Sequence, residues 1–92
     1  MKFTQNHVRA LIGNDISVSV EADDGKTIQR VRTELDGFDL ADDQLANPSD
    51  SYERSFLHAG TAGSGTEHTL VVSAEQNDGT THSSTSIWVD SN

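Results

Sequence analysis

Carboxylates and histidines are the groups in this sequence that could carry acid–base or metal chemistry, because it holds 15 acidic residues, four histidines and no cysteine. Calcium takes about six to eight oxygen ligands, often from aspartates gathered on one loop. The acidic segment 36–50 lacks the EF-hand pattern, so we interpret it as a solvated loop, with a calcium-dependent binding module as the alternative. Calcium is the cofactor of that alternative only, and its candidate ligands are Asp36, Asp39, Asp42 and Asp43.

The histidines do not form a short metal-binding motif. They stand at positions 7, 58, 68 and 82, and no two of them have the spacing of i, i+2 or i, i+4. His82 is predicted to face Glu75 across the last hairpin, and such a pair is more typical of a surface contact than of a ligand set. Nothing in the sequence places a histidine and a carboxylate around one pocket.

The glycine-rich segment 59–66, AGTAGSGT, resembles a phosphate-binding loop only in composition. A phosphate-binding loop needs a lysine after its last glycine and a helix beyond it, and a strand pattern follows here instead. Ser64 between two glycines also lacks the strand–turn–helix setting of a nucleophile elbow. We therefore predict a connecting loop and no enzyme, with a small hydrolase as the remote alternative.

The formal net charge of −9, from 15 acidic against 6 basic residues, predicts a surface that repels nucleic-acid phosphate and anionic lipid. We expect neither nucleic acid nor a membrane as a partner. Residues 1–14 lack the apolar core of a signal peptide, and no run approaches the roughly 20 apolar residues of a membrane span. The compartment stays open between the cytoplasm and a fragment of an exported surface protein.

Period-two alternation of apolar and polar residues predicts a single all-β domain over residues 1–92. Strands are predicted at 16–22, 27–35, 51–58, 68–76 and 80–89, with a short first strand at 7–12. Ile28 is out of phase with Val31, which indicates a β-bulge. Residues 36–50 are predicted to be irregular with one helical turn near 39–45, and residues 1–6 to be a disordered N-terminal arm.

The closing hairpin decides where the sole tryptophan lies. Asp78-Gly79 predicts a two-residue hairpin loop, which puts Leu70 opposite Ile87 on the buried face. Trp88 and Val71 then share the solvent face, where an exposed aromatic is typical of sugar or protein contact. A slip of one residue, or an N-terminal segment folded over it, would bury Trp88 instead. The candidate binding residues are Trp88, Val71, Thr69 and Ser86.

Two stretches resemble bacterial immunoglobulin-like domains of the Ig-like and PKD-like kind. Residues 18–37, VSVEADDGKTIQRVRTELDG, resemble their second and third strands, and residues 67–89, EHTLVVSAEQNDGTTHSSTSIWV, resemble their last hairpin. The resemblance implies an immunoglobulin-like β-sandwich of about seven antiparallel strands. The cysteine pair of true immunoglobulin domains is missing, and His68 stands near the position of the tyrosine corner.

Domains of this class typically act as spacers, adhesion modules or sugar-binding modules. The resemblance therefore implies a non-enzymatic structural or binding module that contacts a protein or carbohydrate partner through a sheet face or end loops. An open sandwich also exposes unpaired backbone at its rims, and the predicted last strand carries no charge before Asp90. Homodimerisation by edge-strand pairing is a further expectation.

Overall fold

The computed structural model describes residues 1–10, 13–58 and 67–89, and the side chains of residues 1–6, 16–56 and 67–87. The described part of the chain forms seven antiparallel strands and no helix, so the all-β prediction is confirmed. The strands are β1 (Lys2–Ala10), β2 (Gly13–Glu21), β3 (Ile28–Leu35), β4 (Phe38–Ser49), β5 (Ser51–His58), β6 (Glu67–Gln76) and β7 (Thr81–Val89). The loop predicted at 59–66 lies outside the described residues.

The strands form two sheets that pack face to face as a β-sandwich. One sheet has three strands in the order β1-β2-β5, and the other has four in the order β4-β3-β6-β7. The edges β4 and β5 lie on one side of the sandwich, and the edges β1 and β7 lie on the other. β1 and β7 both begin at the end of the sandwich where Gln76 contacts Asp23, because Lys2 pairs with Glu21 there.

The core consists of alternate residues from the central strands. Period-two burial gives each of β2, β3 and β6 one inward face, as the sequence pattern predicted. Nine apolar side chains are buried: Ile16, Val18, Val20, Ile28, Val31, Leu35, Leu70, Val72 and Ala74. In β5 the inward face is that of Tyr52 and Phe56, which pack against this cluster.

The irregularity predicted at Ile28 is confirmed. The register of β3 shifts between Ile28 and Arg30 against both of its neighbours, β4 and β6. The shift turns Ile28 inward although it is out of phase with Val31, and both side chains have no exposed surface. A bulge therefore places Ile28 in the core at the position that strict alternation would give to Gln29.

The prediction of a disordered arm at residues 1–6 is wrong, because residues 2–6 belong to β1. β1 pairs with β2 along its whole length, from Lys2 opposite Glu21 to Ala10 opposite Gly13. Phe3 packs against the core, and Gln5 donates from Nε2 to the carbonyl oxygen of Ser84 in the opposite sheet at 3.1 Å. This strand could not be recognised from the sequence, because a glutamine occupies one of its inward positions.

The acidic segment, predicted to be irregular with a helical turn, is instead the strand β4. A tight turn precedes it, in which Asp36 and Gly37 both have positive φ, of 52° and 85°. Leu35 pairs with Phe38 directly across this turn, which is the geometry of a two-residue hairpin. The acidic residues are tolerated in a strand because β3 places arginines beside them, and that compensation depends on the pairing rather than on the local sequence.

The register predicted for the closing hairpin is wrong by one residue. Leu70 pairs with Ser86 rather than with Ile87, which pairs with Thr69 and is 60% exposed. The loop has three residues, because Gln76 donates its N–H to Thr80 O and accepts from the N–H of Gly79, both at 2.9 Å. Gly79 has a φ of +86°, and Asp36 is the only described non-glycine residue with positive φ. The two-residue loop would require positive φ at Asp78 also.

Thr33 gives a test of the core. It is fully buried, and within the described part of the chain its Oγ1 has no hydrogen-bond partner. Thr33→Val replaces an unsatisfied hydroxyl with a methyl group of similar size, so we expect the free energy of unfolding to rise by about 1 kcal/mol. Urea denaturation followed by circular dichroism measures the change. Thr33→Ala is the control, and it should lower the stability because it leaves a cavity.

Gly79 gives a test of the three-residue loop. Its position has space for a Cβ, so the cost of a substitution is backbone strain alone. We expect Gly79→Ala to lower the free energy of unfolding by about 1 kcal/mol, measured by thermal and urea denaturation. Gly79→Asn should cost less, because asparagine tolerates positive φ better than alanine does. Equal losses for the two variants would contradict this conformation.

Candidate binding surface

The predicted binding patch is not assembled as the sequence suggested. Thr69 and Val71 do lie on the solvent side of the four-stranded sheet, but Ser86 pairs with Leu70 and therefore shares the inner side. The backbone of Trp88 pairs with His68, and its side chain lies outside the described residues. The error follows from the hairpin register, since a shift of one residue moves every side chain of β7 to the other face.

Ile87 takes the place that the sequence assigned to Trp88. We call the solvent side of the four-stranded sheet the outer face. It carries Asp39, Asp42 and Gln44 from β4, Arg30, Arg32 and Glu34 from β3, Thr69, Val71, Ser73 and Glu75 from β6, and Thr81, Ser83, Thr85 and Ile87 from β7. Charged residues therefore occupy the β3–β4 half, and β-branched residues gather at one end of the β6–β7 half.

Ion pairs order the charged half of the outer face. Arg30 holds Asp42 through two bonds, Nε to Oδ1 at 2.8 Å and Nη2 to Oδ2 at 2.5 Å. Arg32 reaches Asp39 and Glu34, each at 3.0 Å from Nη2. The bonds with Arg30 hold the pKa of Asp42 below its ordinary value. Exposed pairs of this kind add about 0–1 kcal/mol each, so they orient the guanidinium groups more than they stabilise the fold.

A shallow groove of about 280 Å³ lies on the outer face, in the half nearest the closing hairpin loop. It is lined by Arg30, Arg32, Ser73, Glu75 and Thr81. Gln29 donates from Nε2 to a carboxylate oxygen of Glu75 at 2.5 Å, which fixes one wall of the groove. The groove is open to solvent along the sheet, so it can meet the surface of a partner but cannot enclose a small substrate.

The apolar part of the outer face lies beside this groove. Ile87 pairs with Thr69, and the neighbouring pair on the same face is Val71 with Thr85. Val71 is half-buried, whereas Ile87 is exposed by 60% and is one of two large apolar side chains with this degree of exposure among the described residues. The other one, Phe38, lies at the β3–β4 turn.

Asp43 joins the two sheets rather than facing solvent. Its carboxylate accepts the hydroxyl of Tyr52, and Arg54 Nη1 lies 2.8 Å and 2.7 Å from its two oxygens. The Arg54 guanidinium also lies 4.9 Å from the ring centre of Phe56. The bonds from Tyr52 and Arg54 lower the pKa of Asp43, and burial together with Asp43 raises the pKa of Tyr52 to about 12.

The four candidate calcium ligands are not brought together. Asp39 and Asp42 lie on the outer face with arginine partners, and Asp43 points between the sheets. Asp36 lies in the hairpin turn and accepts the N–H of Thr69 at 2.8 Å. Among the described residues, no group of three or more histidines and carboxylates is arranged to hold a metal ion.

His68 and Asp36 form a contact that the sequence did not predict. His68 Nδ1 lies 2.7 Å from Asp36 Oδ2, and the ring is 7% exposed. The N–H of Asp36 also donates to Thr69 O at 2.9 Å, so the β3–β4 turn is bound to the first residues of β6. The predicted contact of His82 with Glu75 is not formed, because His82 pairs with Ala74 and Glu75 with Thr81.

Comparisons with known proteins do not assign this chain to a family: no family model matches it, and no curated protein matches it. Over the residues that the structure describes, there is no helix of the length and apolar character that would cross a lipid bilayer.

The contact of Tyr52 with Asp43 predicts a pH dependence with two limbs. The folded pKa of Asp43 is lowered, so its contribution is present above pH about 4 and is lost as the pH falls through the lowered value. The folded pKa of Tyr52 is raised to about 12, so its contribution is full below pH 10 and is lost as the pH rises towards 12. Tyr52→Phe should lower the free energy of unfolding at pH 7 by about 1 kcal/mol and flatten the alkaline limb.

Urea denaturation of both proteins at pH 7, 10 and 12 measures this effect. The near-ultraviolet absorbance of Tyr52, the sole tyrosine, reports its ionisation directly. Glu53→Gln is the control, because Glu53 is an exposed neighbour on the opposite side of β5. An alkaline limb that is equally steep with and without the Tyr52 hydroxyl would contradict the assignment.

Proposed function

We propose that this chain is a non-enzymatic binding module, an immunoglobulin-like domain that contacts a protein partner through its outer face. The strand order supports the immunoglobulin-like assignment. β2 lies beside β5 in one sheet, and β3, β6 and β7 are consecutive in the other, as in the immunoglobulin fold. The same assignment follows from the resemblance of residues 18–37 and 67–89 to such domains.

The observation that carries the proposal is the composition of the outer face. It combines the exposed Ile87 and the half-buried Val71 with the oriented guanidinium groups of Arg30 and Arg32. Protein interfaces are enriched in arginine and have an apolar centre with a polar rim. The opposite surface, on the three-stranded sheet, differs in kind, since its described side chains are Lys2, Thr4, Asn6, Ser17, Ser19, Glu21, Ser51, Glu53 and Ser55.

A protein fits this face better than a carbohydrate does. Aromatic rings are the side chains that offer a broad apolar surface with a polar edge, and none of the described residues of the outer face is aromatic. The ion-paired arginines and the adjacent β-branched residues instead match the mixed polar and apolar surface of a folded protein or an extended peptide.

A structural role for the His68–Asp36 pair supports a function without catalysis. Asp36 lies in the β3–β4 turn, and its partner His68 is buried near the start of β6. Asp36 uses its second carboxylate oxygen on the backbone N–H of Thr69. This arrangement gives the histidine and the carboxylate a structural role, which supports a module that does not act by hydrolysis.

Selection of ligands from a displayed library of random peptides tests the proposal, with a glycan array as a parallel arm. Val71→Asp places a charge at the centre of the apolar part of the outer face, and it should weaken binding of the selected peptides at least tenfold. Ser19→Asp is the matched control, because it adds the same charge on the central strand of the opposite surface. It should leave binding unchanged.

Surface plasmon resonance with the purified variants measures both effects, and circular dichroism shows that they fold. Peptides that bind Val71→Asp as tightly as the wild type would place the contact elsewhere. Ligands found on the glycan array alone would replace the protein partner with a carbohydrate.

A further inference from the structure

The edge strand β7 differs from the other three edges of the sandwich. Natural edge strands are protected from pairing by charged residues, proline and bulges. β4 carries several aspartates, Pro48 and two register shifts, β5 carries Glu53 and Arg54, and β1 begins with Lys2. β7 has nine residues without acid, lysine, arginine, proline or glycine, and its register with β6 is continuous.

The open side of β7 presents a regular set of backbone groups. Gln76 and Thr80 are hydrogen-bonded across the hairpin, and hydrogen-bonded pairs alternate with non-bonded pairs along antiparallel strands. The backbone groups of His82, Ser84 and Ser86 therefore point to β6. Those of Thr81, Ser83, Thr85 and Ile87 point to the open edge of the sheet, where β7 is the last strand.

We propose that a second copy of this chain pairs with β7 in antiparallel fashion, around a two-fold axis at Ser86. The pairing would join two four-stranded sheets into one continuous sheet of eight strands. A two-fold interface is self-complementary, and here Ile87 of each copy would lie opposite Thr85 of the other. Cross-strand pairs of β-branched residues are favourable, and this pair places Thr85 beside the exposed Ile87, which stays on the outer face.

Two features of β7 favour its pairing with a second copy of the chain in this register. β7 is uncharged, so no like charges of the two strands face each other, although each chain carries a net charge of −9. An axis at Thr85 would pair all nine residues but would place Ile87 opposite Ser83, which offers it little apolar surface. The axis at Ser86 keeps the pairing long and places the β-branched side chains of both copies together.

The net charge gives the pairing a salt dependence. Two copies of charge −9 repel each other at low ionic strength, and salt screens that repulsion with a Debye length of about 10 Å at 0.1 M and about 3 Å at 1 M. The dimer should therefore form more readily as sodium chloride rises from about 0.05 M to about 1 M. An association driven by opposite charges would show the reverse trend.

Sedimentation equilibrium of the full chain measures the pairing. We expect the mass to approach that of two chains at about 100 µM in high salt, and Thr85→Pro to return it to one chain, because proline removes an outward N–H that an edge strand can lose without unfolding. Thr85→Val is the matched control and should dimerise like the wild type, since it keeps the N–H and the branched side chain. A single-chain mass for the wild type at every salt concentration would overturn the proposal.

Cysteine cross-linking tests the register, because the sequence has no cysteine of its own. At an axis through Ser86 the two copies of that residue form a non-bonded pair with Cα atoms about 4.5 Å apart, within the range of a disulfide. Ser86→Cys should cross-link to its copy on mild oxidation. Ser84→Cys should not, since its two copies would lie about 13 Å apart. Cross-linking of Ser84→Cys alone would overturn the axis.

The pairing uses the backbone edge of the sheet and does not rest on the proposed function of the outer face. A wild-type chain that stays monomeric overturns the pairing and leaves the peptide selection with Val71→Asp as a separate result. Peptide binding that is unchanged by Val71→Asp would contradict the proposed function and would leave the mass of the dimer as a separate result.

Discussion

The sandwich depends on polar side chains that reach from one sheet to the other around a thin core. The described core has nine buried apolar residues, and a domain of this size buries a smaller fraction of its surface than larger domains do. Asp43 joins Tyr52 and Arg54 on the β4–β5 side, and Gln5 exchanges hydrogen bonds with Ser84 on the β1–β7 side. These contacts close both sides of the sandwich where the apolar residues end.

Specific contacts of polar side chains also explain the distribution of charge. Aspartates exceed the basic residues, and several of them are placed across from an arginine or at a turn where they accept backbone N–H groups. Asp78 is of the second kind, since it accepts the N–H and the hydroxyl of Thr80, which lowers its pKa. The aspartates therefore stabilise turns and one edge strand.

The sequence predicted the strands that contain a full apolar face, and it missed β1 and β4, whose polar residues are accommodated only by contacts with other strands. β2, β3 and β6 could be predicted because apolar residues alternate with polar residues in each of them, as they do around Val18, Val31 and Val72. β4 could not, because Asp42 is compatible with a strand only beside Arg30. The prediction of the binding surface was wrong for a more local reason. Asp78-Gly79 is compatible with loops of two or three residues, and the choice between them decides on which face of the sheet Ile87 lies.

The shared starting end of β1 and β7 determines how the domain would respond to tension. The first strand begins at the end of the sandwich where Lys2 pairs with Glu21, and the last strand finishes at the opposite end, where Val89 pairs with Glu67. A pulling force on the two ends would act along both strands, so their ladders would be sheared as a whole instead of being unzipped one hydrogen bond at a time.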